Sequence, residues 1–160
     1  MTTLRLDASL ISNAARLDAS VDEVFQLMVG VRCRPGAPPA ETAADSVTAM
    51  VGFGGALTGA CVLSCPPDTA RAIAARMTGT HFAVLDDTVR DAMGEVCNMI
   101  AGTWKGNVPE LASACELSVP AVITGRDYQL RVQEPRFTVR RAYRFAESFF
   151  LVTLLCDDLR

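Results

Sequence analysis

The 160-residue sequence is short of basic and metal-binding side chains: it has one histidine, His81, and one lysine, Lys105. A single histidine excludes multi-histidine metal centres and two-histidine acid–base mechanisms. Fifteen basic residues face 18 acidic ones, and the net charge of −3 lacks the basic footprint of a general nucleic-acid binder. Long apolar runs are missing too. No window nears the ~20 uninterrupted apolar residues of a spanning helix, and the longest candidate, Phe149 to Cys156, is strand-sized. The opening Met1–Asp7 shows no basic segment leading into an apolar one, so no signal peptide is read there and a cytoplasmic protein is the simplest expectation. C-x-x-C pairs are also absent. Without an export signal, Cys33, Cys61, Cys65, Cys97, Cys115 and Cys156 read as reduced, buried thiols rather than three disulfides. Cys61 and Cys65, four apart in a strand-like run, fall on one face and read as core, not as zinc ligands.

What is present is apolar content: half of the residues are hydrophobic. A chain of this length buries roughly 70% of its unfolded surface without staples, and a single domain over residues 1–160 is expected. Ser20-Val-Asp-Glu23 fits a capping box, and Val21, Val24, Phe25 and Met28 follow at helical spacing to about Val29. Residues 7–16 show only a weak helical period. Arg34 to Pro39 is a loop by its proline and glycine content. Ser46–Phe53 and Ala56–Ser64 alternate around Gly54-Gly55, a hairpin signal. Pro66-Pro67-Asp68 opens a helix that Gly79 closes.

Asp86 to Trp104 is the longest predicted helix, with Val89, Met93, Val96, Ile100 and Trp104 as its apolar stripe. Beyond a loop at Gly106–Pro109 the period returns to two. Strands are expected over 113–119, 128–133 and 136–145, and the last, Ser148–Cys156, is apolar on both faces and so central. Helices grouped beside strands favour an α+β fold over a parallel wind: an antiparallel sheet of about five or six strands packed against about three helices.

At about 100° per residue, with Val96 at zero, Asn98, Asp91, Gly102 and Glu95 fall at about 200°, 220°, 240° and 260°, opposite the apolar stripe. Glu95 and Asn98 are i, i+3 neighbours whose side chains can act on one object. Periodicity alone describes this as the solvated face of an amphipathic helix. Gly94 and Gly102 add bare backbone on that side, at a helix-propensity cost of about 1 kcal/mol each. Such backbone lets another surface approach closely, although a flexible helix end accounts for Gly102 equally well.

The run Asp91-Ala-Met-Gly-Glu95-Val-Cys-Asn98-Met-Ile-Ala-Gly102 resembles the signature of the CheX/CheC/FliY family, bacterial chemotaxis phosphatases that act on phosphorylated CheY. Leu117-Ser-Val-Pro120, followed by Ile123-Thr-Gly125, is similar to the family's downstream proline segment. The single signature copy is more like CheX than CheC, which carries two, and the element order is that of a CheX-like unit. The resemblance implies hydrolysis of a receiver's aspartyl phosphate. In that scheme Glu95 pairs with the receiver's lysine, and Asn98 reaches the phosphoryl group and orients the attacking water. Asp91 at the rim and Gly102 face the partner, with no chemistry assigned to Asp91. The resemblance also implies that the chain binds no cofactor of its own, that Mg²⁺ resides on the receiver, and that the protein is a homodimer whose sheets join. A receiver-binding or dimeric scaffold without catalysis, and a purely structural dimerisation module, are the other functions this sequence allows.

The remaining features read as structural. Trp104 projects into the core, and Lys105 is a solvated charge at a helix C-terminus. Pro120 terminates a strand. Arg136, Arg140, Arg141 and Arg144 read as a solvated sheet face, with contact to an acidic partner as the alternative. Gly52-Phe-Gly-Gly55 is a turn, not a phosphate loop, because no P-loop lysine or serine follows.

Overall fold

The computed structural model describes residues 7–40, 45–128, 130 and 135–159. Two short helical segments open it. α1 (Ala8–Ile11) is capped by Asp7, and α2 (Ala14–Val24) by Asn13, whose side chain accepts from Ala15 N. α2 runs on into a π-helical turn, Phe25–Val29. Helix therefore begins well before Ser20, and the capping-box reading is corrected. Ser20 is fully buried inside α2, and its hydroxyl donates to Arg16 O at 2.9 Å. Asn13 offers a cap earlier in the chain, and the apolar Leu17, Val21 and Val24 bury one continuous face from there.

The sheet comprises β1 (Arg34–Pro35), β2 (Asp45–Gly55), β3 (Leu57–Cys65), β4 (Cys115–Leu117), β5 (Ala121–Arg126), β6 (Phe137–Phe145) and β7 (Ser148–Leu159). Its order is β1-β6-β7-β3-β2, and the free side of β2 pairs β4 at one end and β5 at the other. Every pairing is antiparallel. β4 falls inside the strand expected over 113–119; the seven strands exceed the expected five or six because β1 is too short to show a period and β5 reads in sequence only as a motif. β7 is central, as its two-sided apolar pattern requires. Tyr128 and Leu130 lie outside any strand, which corrects the expected strand at 128–133; residues 129 and 131–133 of it are outside the described residues. Tyr128 instead folds over the outer face of the sheet, where its hydroxyl meets Thr48 Oγ1.

The expected hairpin of β2 and β3 is formed, and Gly54 and Gly55 follow its last pair, Phe53 with Gly59. They also continue β2 on its other side and pair with Glu116 and Cys115 of β4. A Cβ on Gly55, whose φ is 94°, would lie 2.4 Å from Ala114 O, so only glycine fits where the two backbones meet.

α3 (Pro67–Thr78), α4 (Asp87–Gly106) and α5 (Pro109–Ala112) complete the fold. α4 lies on β2 and between α2 and α3. Asp86 caps it, accepting from Val89 N at 3.0 Å. Val89, Met93, Val96, Ile100 and Trp104 are all fully buried, and Trp104 sits 5.5 Å from the Phe53 ring. On the α2 side, Phe25 stacks on Phe150 at 4.5 Å, with Tyr143 and Phe145 against the same ring. Asp18 anchors α2 to β6: it accepts from Arg141 at 3.0 and 2.7 Å and from the Tyr143 hydroxyl at 2.7 Å.

All six cysteines are free and buried. Burial pushes Cys33 and Cys156 up to about 12 and raises Cys65 and Cys115; Cys61 is raised first by its hydrogen bond with the Cys97 thiol and then by burial. Among the described residues no helix is long and apolar enough to cross a membrane.

Candidate functional site

α4 is held along its whole length by its apolar face, so its opposite face is presented on a rigid rod. Asp91 and Glu95 are exposed on that face, while Asn98 and Gly102 are half-buried. Among the described residues, no side-chain hydrogen bond or ion pair engages Asp91, Glu95 or Asn98. The helix thus brings a carboxylate and an amide together one turn apart, with their polar atoms free for an external object. A carboxylate accepts hydrogen bonds and pairs with a cation, whereas an amide both donates and accepts.

The segment between β4 and β5 forms one wall beside these residues. A Cβ on Gly94 would lie 3.3 Å from Pro120 Cβ and 3.5 Å from Val122 Cγ2. At the other end a Cβ on Gly102 would lie 3.7 Å from Leu117 Cδ1. Residues 117–120 therefore run antiparallel along α4 from Gly102 towards Gly94, and Asn98 lies midway between those two glycines in sequence and in angle. Gly102 is half-buried, with one ordinary contact to Leu117. The run of this segment along α4 corrects the reading of Gly94 as bare backbone for a partner, since the surface that approaches there is the chain's own. It also explains why Asn98 is half-buried rather than exposed. Pro120, expected only to end a strand, packs as a wedge on the helix.

The segment is clamped. Ser118 N donates to Gly52 O at 2.9 Å, and Gly52 N donates to Ser118 Oγ at 2.8 Å. Lys105, expected in solvent, is half-buried, and its Nζ donates to Ala112 O at 2.8 Å, tying the end of α4 to α5. The arginine patch is also divided. Arg141 pairs with Asp18, Arg144 holds Ala37 O at 3.1 and 2.9 Å, and Arg140 is exposed on the outer sheet face. His81 is exposed. Among the described residues no group of three or more His, Cys, Asp or Glu side chains is arranged to hold a metal ion.

Residues 47–140 match the family described as chemotaxis phosphatase CheX. The chain belongs to the CheX family. The match takes in most of β2, and the whole of β3, α4 and the 117–120 segment. The CheY-P phosphatase CheX of Thermotoga maritima is 26% identical over 130 residues, which cover 79% of this chain and 82% of that protein. Among solved structures, chemotaxis protein CheX from Vibrio vulnificus superposes with a TM-score of 0.76 at 22% identity, covering 89% of this chain and 94% of that one. A CheX–CheY–BeF3–Mg²⁺ complex from Borrelia burgdorferi gives a TM-score of 0.72 at 16% identity, covering 91% of this chain and 97% of that one. The CheX fold is thus shared across chains with little sequence in common, which places the weight of any functional statement on the particular side chains of α4.

Proposed function

We propose that this chain is a protein-aspartyl-phosphate phosphatase acting on a CheY-like receiver domain, with Glu95 and Asn98 as its working residues. The observation that carries the reading is their placement: an unengaged carboxylate and an unengaged amide, one turn apart on a rigid helix, within the family's signature spacing. The name of the Thermotoga relative supports the activity, and the Borrelia complex supports a CheY partner.

Glu95 pairs with a lysine beside the receiver's phosphorylated carboxylate and so fixes α4 over the phosphoryl group. The Asn98 amide reaches the phosphoryl site and holds a water in line with the scissile bond. Its carbonyl oxygen accepts from the water while its NH₂ donates to a phosphoryl oxygen. The water oxygen bonds to phosphorus, and the bond from phosphorus to the aspartyl oxygen breaks. The receiver's carboxylate is restored, and inorganic phosphate leaves carrying the water's oxygen and both of its protons. Such a reaction depends on positioning and charge stabilisation more than on a strong base. Asn98 therefore suffices without a histidine. The Mg²⁺ that neutralises the phosphoryl charge belongs to the receiver. Asp91 stands at the rim of the contact. The protein acts in the cytoplasm as a homodimer joined through the sheet.

The test is phosphate release from a phosphorylated CheY receiver in Mg²⁺, with and without the protein. Faster release on adding the protein supports the reading. Binding to the phosphorylated receiver without faster release identifies a scaffold instead.

A further inference from the structure

On the face of the sheet turned away from α4 lies a pocket of about 490 Å³. The pleat fixes which side chains reach it. On β6, Arg141 turns inwards to Asp18 of α2, so Thr138 and Arg140 turn outwards into the pocket. On β7, Phe150, Val152 and Leu154 are fully buried in the core, and the alternate Leu151, Thr153 and Leu155 join Val62 of β3 as the pocket floor. Arg140 is paired with Thr153, and Thr153 with Val62, in one row across β6, β7 and β3. Thr48 of β2 is the partner of Ser64, two residues along β3 from Val62. Arg140 and Thr48 therefore stand three strand spacings apart, about 14 Å.

The two ends differ in chemistry. At the β2 end the wall is Tyr128 and Leu130. There the Tyr128 hydroxyl meets Thr48 Oγ1, which donates to Ser64 Oγ at 3.2 Å. At the β6 end stands the Arg140 guanidinium, with the Thr138 and Thr153 hydroxyls. Among the described residues nothing engages Arg140, whereas Arg141 and Arg144 of the same strand are committed to Asp18 and to Ala37 O. No acidic residue is among the described residues that line the pocket.

We propose that this pocket binds a small organic acid, with its carboxylate on Arg140, its apolar body on the floor and a hydrogen-bonding group at the Tyr128 end. An unpaired guanidinium offers forked donors that match a carboxylate. The aliphatic floor rewards an apolar body, which a bare inorganic anion lacks. Hydroxyls at the far end donate or accept, so they suit a ligand hydroxyl. The volume is that of a small-molecule site. The pocket shares no residue with Glu95 and Asn98 and lies across the sheet from them, so the proposal stands apart from the phosphatase reading.

The probe is 4-hydroxyphenylpropionate, which joins a carboxylate, an aromatic body and a phenolic hydroxyl. Tyramine carries a cation on nearly the same skeleton, and inorganic phosphate carries charge without the body. Binding to the full chain is measured by calorimetry and by amide shifts in NMR spectra. The acid is expected to bind, and tyramine and phosphate to bind at least about tenfold more weakly. Arg140→Gln is expected to weaken the acid about tenfold, near 1.4 kcal/mol, and Thr153→Trp, which fills the floor, to abolish binding. Arg76→Gln makes the same change of charge at an exposed position of α3 and is expected to behave as wild type. A wild type that does not bind the acid, unchanged affinity in Arg140→Gln, or an equal loss in Arg76→Gln overturns the site. Phosphate binding as tightly as the acid overturns the organic class of ligand. If wild type ignores the acid and Thr153→Trp turns a dimer into a monomer, the face belongs to a second copy of the chain and the proposal falls.

Discussion

Gly94 and Pro120 meet so closely that a Cβ on the glycine would lie 3.3 Å from the proline's Cβ. The contact joins the functional helix to the segment that walls it. Alanine at Gly94 would gain about 1 kcal/mol of helix propensity and would need the proline to give by a few tenths of an ångström. Valine has no room. Gly94→Val is expected to cost about 1–3 kcal/mol as an overpacked contact, read by denaturant unfolding of the Trp104 fluorescence. Equal stability to wild type would mean that the 117–120 segment is not seated on α4.

The Asp18 anchor makes a second prediction. Tyr143 is 1% exposed and its hydroxyl donates to Asp18, so Asp18→Ala strands a buried hydroxyl as well as releasing Arg141. A loss of about 1–3 kcal/mol is expected. The double variant Asp18→Ala, Tyr143→Phe should recover part of it, because the orphaned donor is gone. Strict additivity of the two single changes would contradict the coupling.

The buried thiols set the alkaline limit of stability. Their folded pKa values are raised, up to about 12 for Cys33 and Cys156, while an unfolded thiol titrates near about 8.5. Above that pH the unfolded chain has lost protons that the folded chain still holds. Stability is therefore full below about pH 8.5 and falls as pH rises towards 12, by about 1.4 kcal/mol per pH unit for each such thiol. Urea midpoints measured from pH 7 to 11 test this. A midpoint that rises or stays level over that range would contradict it.

Glu95 is exposed, and its contribution to docking should be electrostatic. Glu95→Gln is expected to weaken receiver binding and flatten its dependence on salt, since surface charge pairs are screened within about 10 Å at 0.1 M. Titrations at low and high salt read this out. A salt dependence identical to wild type would remove Glu95 from the contact.

The sequence made the long elements legible because they carry a period. α4 was readable from its apolar stripe and its Asp86 cap, and β7 from its two-sided hydrophobicity. The same periodicity placed Glu95, Asn98 and Asp91 on one face of α4. The family signature, not periodicity, separated them from any solvated helix face. What sequence could not show came from long-range packing. Ser20 looks like a cap, yet it is buried because Asn13 caps α2 earlier. Gly54-Gly55 marks the hairpin, but nothing local shows that it also pairs with β4, a strand some sixty residues away. Gly94 looks like an opening for a partner, yet Pro120 fills it. Val119 looks like the end of an alternating strand, yet β4 stops at Leu117 and Val119 stands exposed.

The most direct test of the central claim separates chemistry from binding at Asn98. Phosphate release from a phosphorylated CheY receiver and affinity for the Mg²⁺–beryllofluoride receiver are measured for wild type and Asn98→Ala. The account predicts that Asn98→Ala remains folded, binds within a few-fold of wild type, and loses at least about a hundredfold in kcat, as general positioning of an attacking group is worth that much or more. Equal rates of phosphate release for the two proteins would contradict it.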